Sequence, residues 1–139
     1  MVWGMNEEEK SLNYCFACGK DNPYGLKLEF SYINDEAVAE FTARPEHQGY
    51  NGVMHGGLIA TLLDEAMAQW LSFNGVRAVT AEMSIKFKKP VPIGVLLTVK
   101  GKMIYKKRKI YEMEGYVFGP EEQILAFAVA KFWQTEGEK

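Results

Sequence analysis

His55 is followed by Gly56 and Gly57 at the start of a mostly apolar stretch, and an acid, Asp64, stands further along it. The first backbone N–H groups of a helix have no intrahelical acceptor and sit at the positive end of its dipole. Glycines at that point let a ligand oxygen come close to those donors. At about 100° per residue, Gly57, Ala60, Asp64 and Ala68 fall along one narrow line of the helix, so small side chains flank the carboxylate and leave space beside it. Donors and carboxylate are expected to face one small volume, the donors able to hold an oxyanion and the carboxylate able to attack a carbonyl or activate water, which together are the parts of an acyl-transfer site. A plainer arrangement uses the same residues: Asp64 paired with a lysine, and the two glycines serving only close helix packing.

The elements that must position these groups follow from the apolar periodicity. Leu58, Ile59, Leu62, Leu63, Ala66, Met67, Trp70 and Leu71 cover more than half of the helix circumference, which predicts a helix wrapped by the rest of the chain. It should run from about Gly56 to Phe73 and stop at Asn74-Gly75. Before it, Leu26 to Ile33 and Glu36 to Ala43 alternate as a hairpin turning at Asn34-Asp35, and Arg44 to Met54 is irregular. After it, strands are predicted over Val79 to Phe87, Val95 to Tyr105, Ile110 to Phe118 and, past the Gly119-Pro120 turn, Ile124 to Trp133. Short strands around one long helix make an α+β fold, with one sheet curled around a buried helix. The 139 residues suit a single domain without a linker, with about residues 1–12 as a flexible N-terminal segment.

A net charge of −2 gives no footprint for general nucleic-acid binding. Met1 to Lys10 is acidic and lacks a signal peptide's apolar stretch, and no apolar run reaches the length of a membrane span. A cytoplasmic location, without nucleic-acid or membrane partners, is the expectation.

Beyond His55-Gly56-Gly57 and Asp64, the chain carries His47-Gln48-Gly49-Tyr50-Asn51-Gly52, Cys15-Phe16-Ala17-Cys18-Gly19, Asn22-Pro23-Tyr24-Gly25-Leu26, and Thr80-Ala81-Glu82-Met83-Ser84-Ile85-Lys86-Phe87 followed by Pro90. In these motifs it resembles the hotdog-fold acyl-CoA thioesterases, in the branch related to the phenylacetic-acid-pathway thioesterases. The resemblance implies a curved antiparallel sheet around a central helix, assembled as a homodimer or a dimer of dimers whose active sites are shared between subunits. It implies hydrolysis of an acyl-CoA thioester, with coenzyme A present only as part of the substrate and no other cofactor. Asp64 would be the catalytic carboxylate, Gly56 the N–H donor to the thioester carbonyl, His55 the support of that turn, and Thr80 a hydroxyl that positions the attacking water. Relatives place Asn or Gln where this chain has Gly49, which leaves Gln48 or Asn51 as the polar partner, Gln48 preferred. Some relatives carry Glu at the carboxylate position and a hydroxyl one turn later, where this chain has Asp64 and Ala68.

Other features admit two readings. Lys106, Lys107 and Arg108, with Lys109, form either a solvated hairpin turn or a basic rim for the phosphates of coenzyme A, and Lys86, Lys88 and Lys89 make a second candidate rim. Tyr50 and Asn51, in the irregular loop, and Gly57, on the small-residue line, are candidates to line the substrate pocket. Trp70, Phe73, Phe87, Phe127, Phe132 and Trp133 read as core. Cys15 and Cys18 lack two further zinc ligands at matching spacing, so no metal is expected and the pair reads as reduced thiols serving the N-terminal turn. Two alternatives stand beside the hydrolase: a non-catalytic acyl-CoA-binding hotdog module, and a hotdog-fold dehydratase suggested by Glu65-Ala66-Met67-Ala68-Gln69.

Overall fold

The computed structural model describes residues 14–135, so the segment 1–12 lies outside the described residues. Six strands and one long helix follow in the order β1 (Ser31–Ile33), β2 (Glu36–Thr42), α1 (Gly56–Phe73), β3 (Ala78–Phe87), β4 (Leu96–Lys107), β5 (Ile110–Phe118) and β6 (Ile124–Gln134). Every pairing among them is antiparallel, and the strands lie side by side as β1-β2-β4-β5-β6-β3 in one curved sheet. The α+β expectation stands, with strand ends within two residues of those predicted after the helix.

The helix begins and ends for local reasons. His55 is its N-cap in an extended conformation, and its ring Nδ1 accepts the Gly57 N–H at 2.9 Å. At the other end Gly75 takes φ 73°, and the Val76 N–H donates to the Leu71 carbonyl at 2.8 Å, a glycine-terminated C-cap. Ile59, Leu62, Leu63, Ala66, Met67 and Leu71 are buried against the sheet. Each large side chain among them stabilises by about 1.5–3 kcal/mol, enough to make α1 the anchor of the core. Only Gly57, Ser72 and Phe73 of this helix are exposed, as expected for a wrapped helix. Gly101 in β4 and Gly115 in β5 lie under α1, where a Cβ on Gly101 would collide with the Ala66 backbone carbonyl.

The first hairpin is shorter than the alternation predicted. Asn34 and Asp35 both adopt positive φ, 52° and 66°, giving the two-residue turn that suits a twisted hairpin. Leu26 to Phe30, however, do not join the sheet, because Lys27 also has positive φ (56°) and the Leu26 and Leu28 N–H groups bond to the carbonyls of Phe16 and Ala17. Leu26 and Leu28 are buried as their spacing required, but their backbone partner is the N-terminal turn. No described helix is long and apolar enough to cross a membrane.

Candidate active site

Two elements meet at Asp64. It sits midway along α1, half-buried, and its Oδ1 accepts the Thr80 hydroxyl at 2.7 Å. Thr80 lies near the start of β3, an edge strand with no neighbour on its outer side among the described residues, where the register with β6 shifts between Thr80 and Glu82. Such irregularities re-aim side chains next to sites. Among the described residues Asp64 makes no ion pair, so the lysine-paired reading of this acid does not hold.

The loop before the helix is fixed by its own hydrogen bonds. The His55 N–H donates to the His47 carbonyl at 2.9 Å, and the Met54 N–H to that of Val91 at 2.8 Å. Gln48 spends its amide inside this loop: its Nε2 donates to the Pro45 carbonyl at 2.8 Å and its Oε1 accepts the Gly52 N–H at 2.6 Å. Gly49, where relatives place Asn or Gln, packs closely on the cap residue: a Cβ there would lie 3.2 Å from the His55 Cα. Asn51 and Tyr50 project into solvent, Tyr50 at 89 % exposure.

His55 divides the helix-start donors. Its ring takes the Gly57 N–H, while the Gly56 N–H has no acceptor among the described residues. The expectation that this donor and the Asp64 carboxylate face one small volume does not hold within one chain: eight residues of helix put about 12 Å of axial rise between the two backbone positions, more than one carbonyl group can span. The phenyl edge of Phe87, at the far end of β3, lies 3.8 Å from the position of a Gly56 Cβ.

Lys106, Lys107 and Arg108 are exposed around the β4–β5 turn, with Arg108 at φ 57° and the Lys106 Nζ 5.4 Å from the centre of the Tyr111 ring. Lys106 shares a row with Thr80 through Tyr111 and Phe132, three strand spacings away, or about 14 Å. The aromatic residues divide. Phe132 is buried and Trp70 and Phe127 are partly so, but Phe73, Phe87 and Trp133 are 44 %, 56 % and 49 % exposed and are not core as their spacing suggested. A surface groove lined by Lys27, Glu29, Ser31, Ile33 and Val38 holds none of the residues around Asp64.

Glu65 belongs to a different cluster. Its Oε2 accepts from Gln69 Nε2 at 2.8 Å, and its carboxylate lies within 4.8 Å of the Cys15 and Cys18 sulfurs. Burial, then the Glu65 carboxylate, pushes the Cys18 thiol well above its ordinary range. Spacing along the chain had hidden this third group, which folding delivers from α1.

A model of the thioesterase superfamily matches residues 51–126, which include α1, β3, β4 and β5. The chain belongs to the thioesterase superfamily. The acyl-coenzyme A thioesterase THEM4 of Bos taurus is 32 % identical over 138 residues, covering 97 % of this chain and 57 % of that protein. The chain thus spans little more than half the length of the curated relatives it matches. Among solved structures, a hypothetical thioesterase protein of Streptococcus pneumoniae with coenzyme A shares the fold at a TM-score of 0.73 and 23 % identity, over 78 % of this chain and 88 % of that one. The same protein has been solved with an aspartate, and with a threonine sixteen positions further on, replaced by alanine; Asp64 and Thr80 have that spacing. The PaaI protein of the E. coli phenylacetic acid degradation operon aligns at a TM-score of 0.74 and 20 % identity, over 78 % and 84 % of the two chains. The architecture is the hotdog fold of this superfamily, as the sequence motifs implied.

Proposed function

We propose that this chain hydrolyses the thioester bond of an acyl-coenzyme A, with Asp64 as the catalytic carboxylate. The observation that carries the reading is the Asp64–Thr80 pair: a half-buried acid without an ionic partner, oriented by a hydroxyl and flanked by Gly57, Ala60 and Ala68. The family match supports the reaction class. The coenzyme A in the Streptococcus pneumoniae structure, and the spacing of the residues replaced there, support the substrate class and the pair.

In this mechanism the Gly56 N–H holds the carbonyl oxygen while Asp64 takes a proton from a water that attacks the carbonyl carbon. The carbon–sulfur bond then breaks, and the departing thiolate receives that proton. The alternative course has Asp64 attack directly and form a mixed anhydride that water opens. Oxygen-18 from solvent enters Asp64 in a single turnover only on the second course. Because about 12 Å separates Gly56 from Asp64 along one helix, the site is completed by a second copy, the Gly56 of one chain facing the Asp64 of its partner. The exposed β3 edge is the kind of surface that pairs in such a dimer. Gln48 serves the loop and Asn51 is the free amide for the acyl group. Lys106, Lys107 and Arg108 supply charge for the coenzyme A phosphates, and Tyr50 and Gly57 contribute to the pocket wall. No cofactor is invoked beyond the coenzyme A of the substrate.

The test is a panel of acyl-CoA thioesters assayed for free thiol with the wild type and Asp64→Asn side by side. Turnover of at least one thioester, with a loss of about 100-fold or more in the variant, is expected. Equal activity in the variant removes Asp64 from the mechanism, and tight binding without turnover across the panel makes the chain a binding module.

A further inference from the structure

The N-terminal turn carries two sulfurs on one side of a rigid scaffold. The Cys18 N–H points at Cys15 Sγ, 3.4 Å away, and the Gly19 N–H donates to the Cys15 carbonyl at 2.8 Å. The turn is tied down by the Leu26 N–H to the Phe16 carbonyl (2.8 Å) and the Leu28 N–H to the Ala17 carbonyl (2.9 Å), with Ala17, Leu26 and Leu28 in the core. Gly25 has no room for a side chain, since a Cβ would lie 2.7 Å from the Phe16 carbonyl oxygen. Facing the sulfurs from α1 is the Glu65 carboxylate, the three donors lying within 4.8 Å of one another and all half-buried. Gln69 holds the carboxylate at 2.8 Å and reaches Cys18 Sγ at 3.8 Å.

We infer that Cys15, Cys18 and Glu65 are the ligands of a zinc-type divalent cation that fastens the N-terminal turn to the central helix. Bond lengths of about 2.3 Å to sulfur and 2.0–2.2 Å to oxygen place tetrahedral zinc donors some 3.5–3.8 Å apart, a small rotamer adjustment from the arrangement seen. Two thiolates and a carboxylate repel one another at this distance, and a dication turns that repulsion into attraction. The sulfur donors select a soft or borderline ion over magnesium or calcium, and Gln69 fills the outer-sphere role of orienting a ligating carboxylate. Three protein ligands leave the fourth position to water. Binding breaks two S–H bonds and releases two protons to solvent, and no electron is transferred.

The experiment uses the full chain, purified under reductant, stripped with chelator, confirmed folded by circular dichroism, and titrated anaerobically with Co²⁺. A thiolate-to-cobalt charge-transfer absorption saturating at one ion per chain and displaced by Zn²⁺ is expected. Glu65→Gln should weaken cobalt binding at least about tenfold, the smallest effect usual even for outer-sphere changes. Zn²⁺ should also protect both thiols of the unmutated protein from alkylation, a readout that needs no variant and no thioesterase activity. Cobalt binding without the charge-transfer absorption, or alkylation unchanged by Zn²⁺, overturns the assignment.

Discussion

Thr80 and Asp64 join the edge strand to the middle of the central helix through a hydroxyl–carboxylate hydrogen bond of 2.7 Å. The threonine donates, so one carboxylate lone pair is committed and the other oxygen is left to meet water or a carbonyl carbon. Thr80→Val keeps the shape and removes the donor. It should lower kcat by up to about 100-fold through misplacement of the carboxylate, with KM little changed, while Thr80→Ser should restore most of the rate. Because Thr80 is exposed on an edge strand, urea unfolding should shift by no more than about 0.5 kcal/mol. A Thr80→Val enzyme with wild-type kcat would remove the hydroxyl from the mechanism.

Gly56 allows a cleaner deletion than most main-chain donors. It occupies the first position of α1, where proline is tolerated, and His55 before it has φ −62° and ψ 135°, the conformation a residue preceding proline prefers. A Cβ at Gly56 would meet the Phe87 ring at an ordinary 3.8 Å. Gly56→Pro should therefore fold normally and lose about 100- to 1,000-fold in kcat, the cost of one oxyanion donor. Mixing it with Asp64→Asn at equal amounts tests the shared site. A two-fold dimer that combines Gly56 of one chain with Asp64 of the other has one intact site in each mixed pair, so activity should recover to about a quarter of wild type. No recovery from fully exchanged subunits would place both groups within one chain.

The helix was legible because its ends are written locally: His55-Gly56-Gly57 for the cap and Asn74-Gly75 for the stop. Strands β4 to β6 were legible because turns and alternation coincide. Leu26 and Leu28 show the limit of alternation, which reports a buried face but not the backbone partner. Phe87 and Trp133 show another, since an apolar side chain on a strand does not reveal which side of the sheet it faces. Asp64 and Gly56 could be picked out by residue type, and the rise of the predicted helix already sets them about 12 Å apart; what the sequence of one chain does not place is a second copy. Glu65 escaped notice beside Cys15 and Cys18 because long-range folding, not spacing, brings it there.

Gly101 and Gly115 set how closely the helix lies on the sheet. A methyl group at Gly101 meets the Ala66 carbonyl and the Met67 amide, which are backbone and cannot rotate away. At Gly115 it meets the Leu63 carbonyl oxygen at 3.3 Å and the Met67 side chain at 3.3 Å, contacts that a small shift relieves. Gly101→Ala should cost about 3 kcal/mol or more and Gly115→Ala about 1 kcal/mol, measured from urea midpoints. Equal costs would mean that the helix yields as easily over β4 as over β5.

His47 gives the fold an acid-sensitive point. Its Nδ1 accepts the Arg44 N–H at 2.9 Å, which leaves the ring proton on Nε2, buried and without a partner among the described residues. Burial, reinforced by the Arg44 charge, holds its pKa below the ordinary 6.5. Between the folded and unfolded values the unfolded chain binds the extra proton, so this contribution to stability is complete above about pH 6.5 and is lost as pH falls through that range. The slope from one such group is at most about 1.4 kcal/mol per pH unit. Thermal unfolding followed from pH 7.5 to 5 should show this decline, and His47→Asn, which keeps an acceptor for the Arg44 N–H but does not titrate, should flatten it. An unchanged pH dependence in that variant would assign the acid sensitivity to other groups.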